Sequence, residues 1–300
     1  MVHIAYDPIY AHPLPEGHRF PMLKYELIPA QLLHEGSISP AQIFSPAACT
    51  EDIILLTHDA GYWHDLQQLA LTPSHIRRIG FPLSAQLVLR EIMIAQGTID
   101  CALLAMQHGV ALNVAGGTHH AFANRGEGFC LLNDMAIAAN YLLHHQLAKQ
   151  ILIVDLDVHQ GNGTASIFAQ EPRVFTFSMH GGHNYPFIKE QSDLDVPLPD
   201  GIGDEDYLQL LQQHLQALLH RLQPDFIFYL SGVDVLSTDK FGKLNLSMAG
   251  CQQRDTIVLQ ACKQHSIPCC IAMGGGYSPD IKHIVEAHCN TFRTAIDLFG

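Results

Sequence analysis

The feature that most constrains this chain is the alternation of short, wholly apolar runs with amphipathic stretches. Ile-Leu-Ile-Val at 151–154 and Phe-Ile-Phe-Tyr-Leu at 226–230 contain no charged side chain, as strands buried on both faces require. Further strand candidates fall at 4–6, 53–57, 112–115, 174–178 and 269–273, with the 151 run extending to Leu156. Between them the pattern predicts helices at 22–33, 64–71, 84–96, 133–145, 204–221, 248–265 and 279–298. Leu208, Leu211, Leu215, Leu218, Leu219 and Leu222 keep a three-or-four spacing, which marks one buried helix face. Asp204 supplies a start signal for that helix and Gln223-Pro224 a stop. Strand–helix–strand alternation implies right-handed crossovers and a parallel sheet with helices on both faces. No repeat, Gly/Ser linker or long charge run interrupts it, so residues 1–300 read as one α/β domain.

Composition narrows the function. Hydrophobic residues make up 48% of the chain, enough to build a core, which excludes disorder as the main state. Sixteen Lys and Arg against 29 Asp and Glu give a formal charge of −13, a poor match to a phosphate backbone. The eight Cys form no CxxC pair, which argues against a zinc ribbon or disulfide scaffold and fits a reducing compartment. The segment Met-Val-His-Ile-Ala-Tyr-Asp does not read as a signal peptide. No apolar run approaches the roughly 18 residues of a membrane helix. A cytoplasmic protein acting on neither nucleic acid nor membrane is expected.

The chemistry gathers just after four strands, where ligands bind in open parallel sheets. The first leads into Gly116-Gly117-Thr118-His119-His120-Ala121, the second into Asp155-x-Asp157-x-His159, the third into Ser231-Gly232-Val233-Asp234 and the fourth into Gly274-Gly275-Gly276-Tyr277. Asp157, His159 and Asp234 form a three-ligand N/O set that suits a catalytic metal with an open position. Residues i and i+2 of an extended segment point the same way, which aligns Asp157 with His159. His119 and His120 suit proton transfer, and Tyr277 suits donation to a developing oxyanion. Each motif also has an ordinary explanation: His144-His145 on a predicted helix reads as surface, and a lone Asp after a strand is often a cap. Their occurrence together at four strand ends is what points to a site. Cys130 reads as a buried thiol behind it, Cys269 and Cys270 as core, and the Trp63 segment as a packed helix start.

Together these residues resemble the zinc-dependent histone deacetylase family, which includes acetylpolyamine amidohydrolases. Gly128-Phe129-Cys130-Leu131-Leu132-Asn133-Asp134 and the stretch from Ser231 to Asp239 add to the match, as does His12-Pro13. The resemblance implies an arginase-like α/β fold with about eight parallel strands. It implies zinc, or iron(II), bound by Asp157, His159 and Asp234, with His120 as general base and His119 as its companion. Asn162 would partner His120, Asp155 would orient His119, and Tyr277 would donate to the oxyanion. Gly128 and Phe129 would form the acyl-lysine tunnel. A structural potassium ion is implied at Asp155, Asp157, His159, Ser178 and Met179. Gln160 with Asn162 looks most like the class IV branch.

The implied reaction is hydrolysis of an N-acyl amide on a lysine side chain of a protein or peptide. The alternatives are an amidohydrolase for acetylated polyamines or other small N-acyl amines, and a catalytically silent acyl-lysine binding module.

Overall fold

Alternate residues of the central strands enter two different cores, which is why those strands are apolar throughout. Leu152 and Val154 pack with Ile227 and Tyr229 in one core. Ile151 and Ile153 pack with Phe226 and Phe228 in the other. The computed structural model describes residues 1–300. Its strands are β1 (His3–Ala5), β2 (Ile43–Phe44), β3 (Val110–Asn113), β4 (Ile151–Asp155), β5 (Val174–Gly181), β6 (Leu194–Leu198), β7 (Phe226–Leu230) and β8 (Cys269–Ala272). They form one all-parallel, eight-stranded sheet in the order β2-β1-β3-β8-β7-β4-β5-β6.

Ten α-helices accompany the sheet: α1 (Lys24–His34), α2 (Glu51–Ile54), α3 (Ala60–Gln67), α4 (Pro73–Ile79), α5 (Ala85–His108), α6 (Asp134–His144), α7 (Asn162–Phe168), α8 (Asp204–Leu222), α9 (Met248–His265) and α10 (Ile281–Phe299). Helices α1, α8, α9 and α10 close the first core, while α5 and α6 close the second. Helix α8 buries Leu211, Leu215, Leu218 and Leu219 and carries Asp204, Glu205 and Asp206 in its first turn, where the helix dipole favours anions. No helix is long and apolar enough to cross a membrane.

Three expectations need correction. Residues 53–57 are not a strand: Glu51–Ile54 forms α2, with Thr50 at its N-cap position and two acids in its first turn. The edge strand on that side is β2, only two residues long. Helix α5 does not stop near Gln96 but runs through Gly97 to His108. A Cβ at Gly97 would lie 2.5 Å from the Tyr10 hydroxyl oxygen, so glycine there permits close packing inside the helix. The opposite edge, β6, contains Asp195 and Pro197, polar and proline content that belongs on an edge and masks a strand in the sequence.

Buried His58 ties the loop before α3 to the start of α6. Its Nε2 accepts a hydrogen bond from the Asn133 backbone N–H at 3.0 Å, and its Nδ1 faces the Ala123 carbonyl at 3.3 Å. The ring is therefore neutral, with its hydrogen on Nδ1. Burial lowers its pKa from 6.5 to about 4. Below pH 6.5 the unfolded chain takes up a proton that the folded state refuses. The stabilisation is thus complete above that pH and lost as pH falls toward 4, by about 3 kcal/mol at full effect. Urea unfolding of His58→Gln should show a shallower stability loss between pH 6.5 and 4 than wild type; identical slopes would contradict this.

Candidate active site

The four strands that carry the chemical motifs are neighbours, β3-β8-β7-β4, at the centre of the sheet. Their carboxyl ends meet on one rim because every pairing is parallel. Beyond β4 the two-residue alternation continues: Leu156 and Val158 enter the core, while Asp157 and His159 line the cavity. That cavity has a volume of about 490 Å³ and is also lined by His119, His120, Asp234 and Tyr277.

The loop backbone orients the acids. Asp157 Oδ1 accepts the His159 N–H at 3.0 Å and its Oδ2 accepts the Gly275 N–H at 2.8 Å. Asp234 Oδ1 accepts the Val158 N–H at 2.9 Å. A Cβ at Gly275 would stand 2.2 Å from Asp234 Oδ2, so only glycine lets this turn come so near both acids. His159 Nδ1 lies 3.0 Å from Asp157 Oδ1 and 3.2 Å from Asp234 Oδ2.

This trio fits a divalent cation. One ligand atom from each residue lies within 4.8 Å of the others, and Asp234 Oδ2 is buried with no hydrogen-bond donor. Burial and the neighbouring Asp157 charge push the Asp234 carboxyl up to about 7. A cation would relieve that penalty.

The two histidines lie side by side, with ring centroids 4.1 Å apart and planes tilted by 45°, but sit in opposite electrostatic settings. His119 Nδ1 meets Asp155 Oδ2 at 2.7 Å. Burial alone would lower its pKa, but Asp155 and Asp157 hold it above the usual value. His120 Nδ1 meets Asn162 Oδ1 at 2.6 Å. Burial, with His119 and His159 nearby, depresses His120 well below the usual range. Burial and the charges of Asp234 and Asp157 keep the Tyr277 phenol protonated. Both His144 and His145 are exposed.

Phe129 occupies φ +67°, rare for a side chain of that size, with its N–H bonded to the Ile79 carbonyl at 2.6 Å. Gly128 presses on His120: a Cβ there would lie 2.7 Å from the ring. Both residues line the cavity, with buried Cys130 beside them. Asp155 and Ser178 sit side by side across β4 and β5, and buried Met179 follows on β5. All eight Cys are free and buried, and Trp63 lies on α3 away from the cavity.

Residues 18–292 match the family model described as the histone deacetylase domain. The chain belongs to the histone deacetylase family. It is 46% identical over 296 residues to an uncharacterised protein of Picosynechococcus, covering 99% of both chains. It is 29% identical over 278 residues to histone deacetylase 2 of Arabidopsis thaliana, covering 89% of this chain and 72% of that one. Among solved structures, an HDAC homologue complexed with SAHA superposes with a TM-score of 0.85 at 24% identity, covering 99% of this chain and 84% of that one. An HDAC homologue from Aquifex aeolicus gives 0.82 at 23% identity, over 98% and 84% of the two chains. These structural likenesses establish the shared α/β fold.

Several residues of this histone deacetylase family site escaped the sequence reading. Tyr185 lines the cavity with its ring centroid 5.1 Å from that of His120. It follows β5, and reading the end of that strand as closely as the other four would have found it. Phe241 and Arg19 line the mouth, with the Arg19 guanidinium 5.0 Å from the Phe129 ring centroid and 5.6 Å from that of Phe241. No spacing rule connects segments so far apart in sequence.

Proposed function

We propose that this protein is a metal-dependent hydrolase of N-acyl amides on lysine side chains of proteins or peptides. One observation carries the reading: a cation-ready Asp157/His159/Asp234 trio, a histidine pair and Tyr277 line a single cavity. Zinc or iron(II) suits this donor set. When bound, such an ion polarises a carbonyl and acidifies water. His120 takes the proton of the attacking water on Nε2, the nitrogen not engaged with Asn162, and returns it to the departing amine. His119, held by Asp155, keeps positive charge beside that transfer. The Tyr277 hydroxyl donates to the acyl oxygen as negative charge grows on it. Phe129, Tyr185 and Phe241 supply an apolar passage for the alkyl chain. A structural monovalent cation beside Asp155 and Ser178 belongs to the same proposal.

The cavity lining favours lysine over polyamine. Despite the net charge of −13, Arg19, Arg78 and Lys243 line the cavity, and its only acids are Asp157 and Asp234. A polyamine's free ammonium groups would meet the Arg19 and Arg78 guanidinium groups, while the nearby Asp200 carboxylate lies outside the lining and is engaged with Lys243 at 3.8 Å and His183 at 3.2 Å. The test compares kcat/KM on acetyl-lysine peptides with that on acetylated putrescine and spermidine, together with lysine peptides bearing acyl chains up to myristoyl. A preference for lysine peptides of about tenfold or more is expected. Preference for the polyamines would overturn the substrate assignment, and no turnover of any member by metal-loaded protein would leave the silent binding module.

A further inference from the structure

His119 and His120 are supported by different chemical groups: a carboxylate for His119, and the Asn162 amide for His120. A carboxylate can only accept a hydrogen bond, so it dictates where the imidazole hydrogen sits. An amide can present either its oxygen or its NH₂, so Asn162 alone dictates nothing. Glu127 supplies the missing instruction. Asn162 Nδ2 donates to Glu127 Oε1 at 3.1 Å, and the Tyr185 hydroxyl donates to the same oxygen. Arg125 Nε stands 3.8 Å from the other Glu127 oxygen. The Glu127 side chain is 13% exposed and does not line the cavity.

We infer that Glu127 is a positioning residue that fixes the His120 tautomer through Asn162. With its NH₂ held by Glu127, Asn162 can offer His120 only its carbonyl oxygen. The His120 hydrogen must then reside on Nδ1, which leaves Nε2 with the free lone pair. The same loop sets the ring's place, since Gly128 abuts it. The catalytic consequence rests on the reading of His120 as the base.

A merely structural Glu127 would pin the 126–129 loop to the Tyr185 segment and nothing more. The two roles separate in a double-mutant cycle on the metal-loaded enzyme. In the wild-type background, Glu127→Gln is expected to lower kcat on the order of 10–100-fold with KM changed far less, the usual scale for groups that orient a functional histidine. In an Asn162→Asp background the new carboxylate instructs His120 directly, and Glu127 becomes a like-charged neighbour. There Glu127→Gln should be neutral or raise kcat. Equal losses in both backgrounds, or a change in KM alone, would overturn the inference.

The tautomer itself is read without turnover, from ¹⁵N-imidazole spectra with the His120 signals identified by subtraction of a His120→Ala spectrum. Wild type should show Nδ1 protonated and Glu127→Gln a mixture of tautomers. An unchanged tautomer in Glu127→Gln would overturn the inference, whatever the Asn162→Asp protein does. Retained kcat in His120→Ala would instead defeat the base reading, while the spectra still decide the role of Glu127.

Discussion

Asp234→Asn is expected to yield a folded protein that neither retains a stoichiometric divalent metal against chelator nor hydrolyses amide. Asparagine keeps an oxygen for the Val158 N–H, which Asp234 Oδ1 accepts at 2.9 Å. Alanine would leave that buried N–H unpaired, at a cost of about 1–3 kcal/mol, and would mix a stability loss with a ligand loss. What asparagine removes is the charge, including the buried Oδ2 that has no donor in the protein. An open site with only two charged or imidazole ligands left holds its metal too weakly to survive chelation. Metal content by mass spectrometry, with circular dichroism as the fold control, checks this. Full metal in the variant would remove Asp234 from the ligand set.

The second large effect is expected from Tyr277→Phe: full metal, an unchanged fold, and a fall in kcat of about 10²–10³, or roughly 3–4 kcal/mol. The Tyr277 ring stands 5.2 Å from Phe241 and 6.1 Å from Phe129 and Phe20, centroid to centroid. Phenylalanine preserves all of that packing. The phenol stays protonated because burial and two acids oppose its ionisation, so it remains a donor across the working range. A donor that binds the acyl oxygen more tightly as charge builds lowers kcat when removed, while KM moves less. A loss below threefold with full metal would reduce Tyr277 to packing.

The parts of this account that were legible in the sequence share a physical reason. A strand buried on both faces must be apolar along its whole length, so Asp155, Asp157 and His159 stand out as soon as such a strand ends. Glycines that admit close backbone approach, such as Gly275 beside Asp234, leave a mark in the sequence as well. The short run at 53–57 carried no such information. Four apolar residues followed by a threonine fit a buried strand or a turn of helix equally, and the acids at 51 and 52 favour the helix. Edge strand β6 was masked by Asp195 and Pro197, which serve the edge and spoil the pattern. Glu127 and Tyr185 were invisible for another reason: they meet across 58 residues, and neither type is diagnostic alone. Net charge carries no information about the site's own charge, since a −13 chain places Arg19, Arg78 and Lys243 around its cavity.

The most direct measurement is acetate release from an acetyl-lysine peptide, followed as zinc is titrated into metal-stripped protein. The account predicts no turnover before addition, a linear rise that saturates at one equivalent per chain, and no rise for Asp234→Asn. Undiminished turnover by the stripped protein, or equal zinc activation of Asp234→Asn, would contradict it.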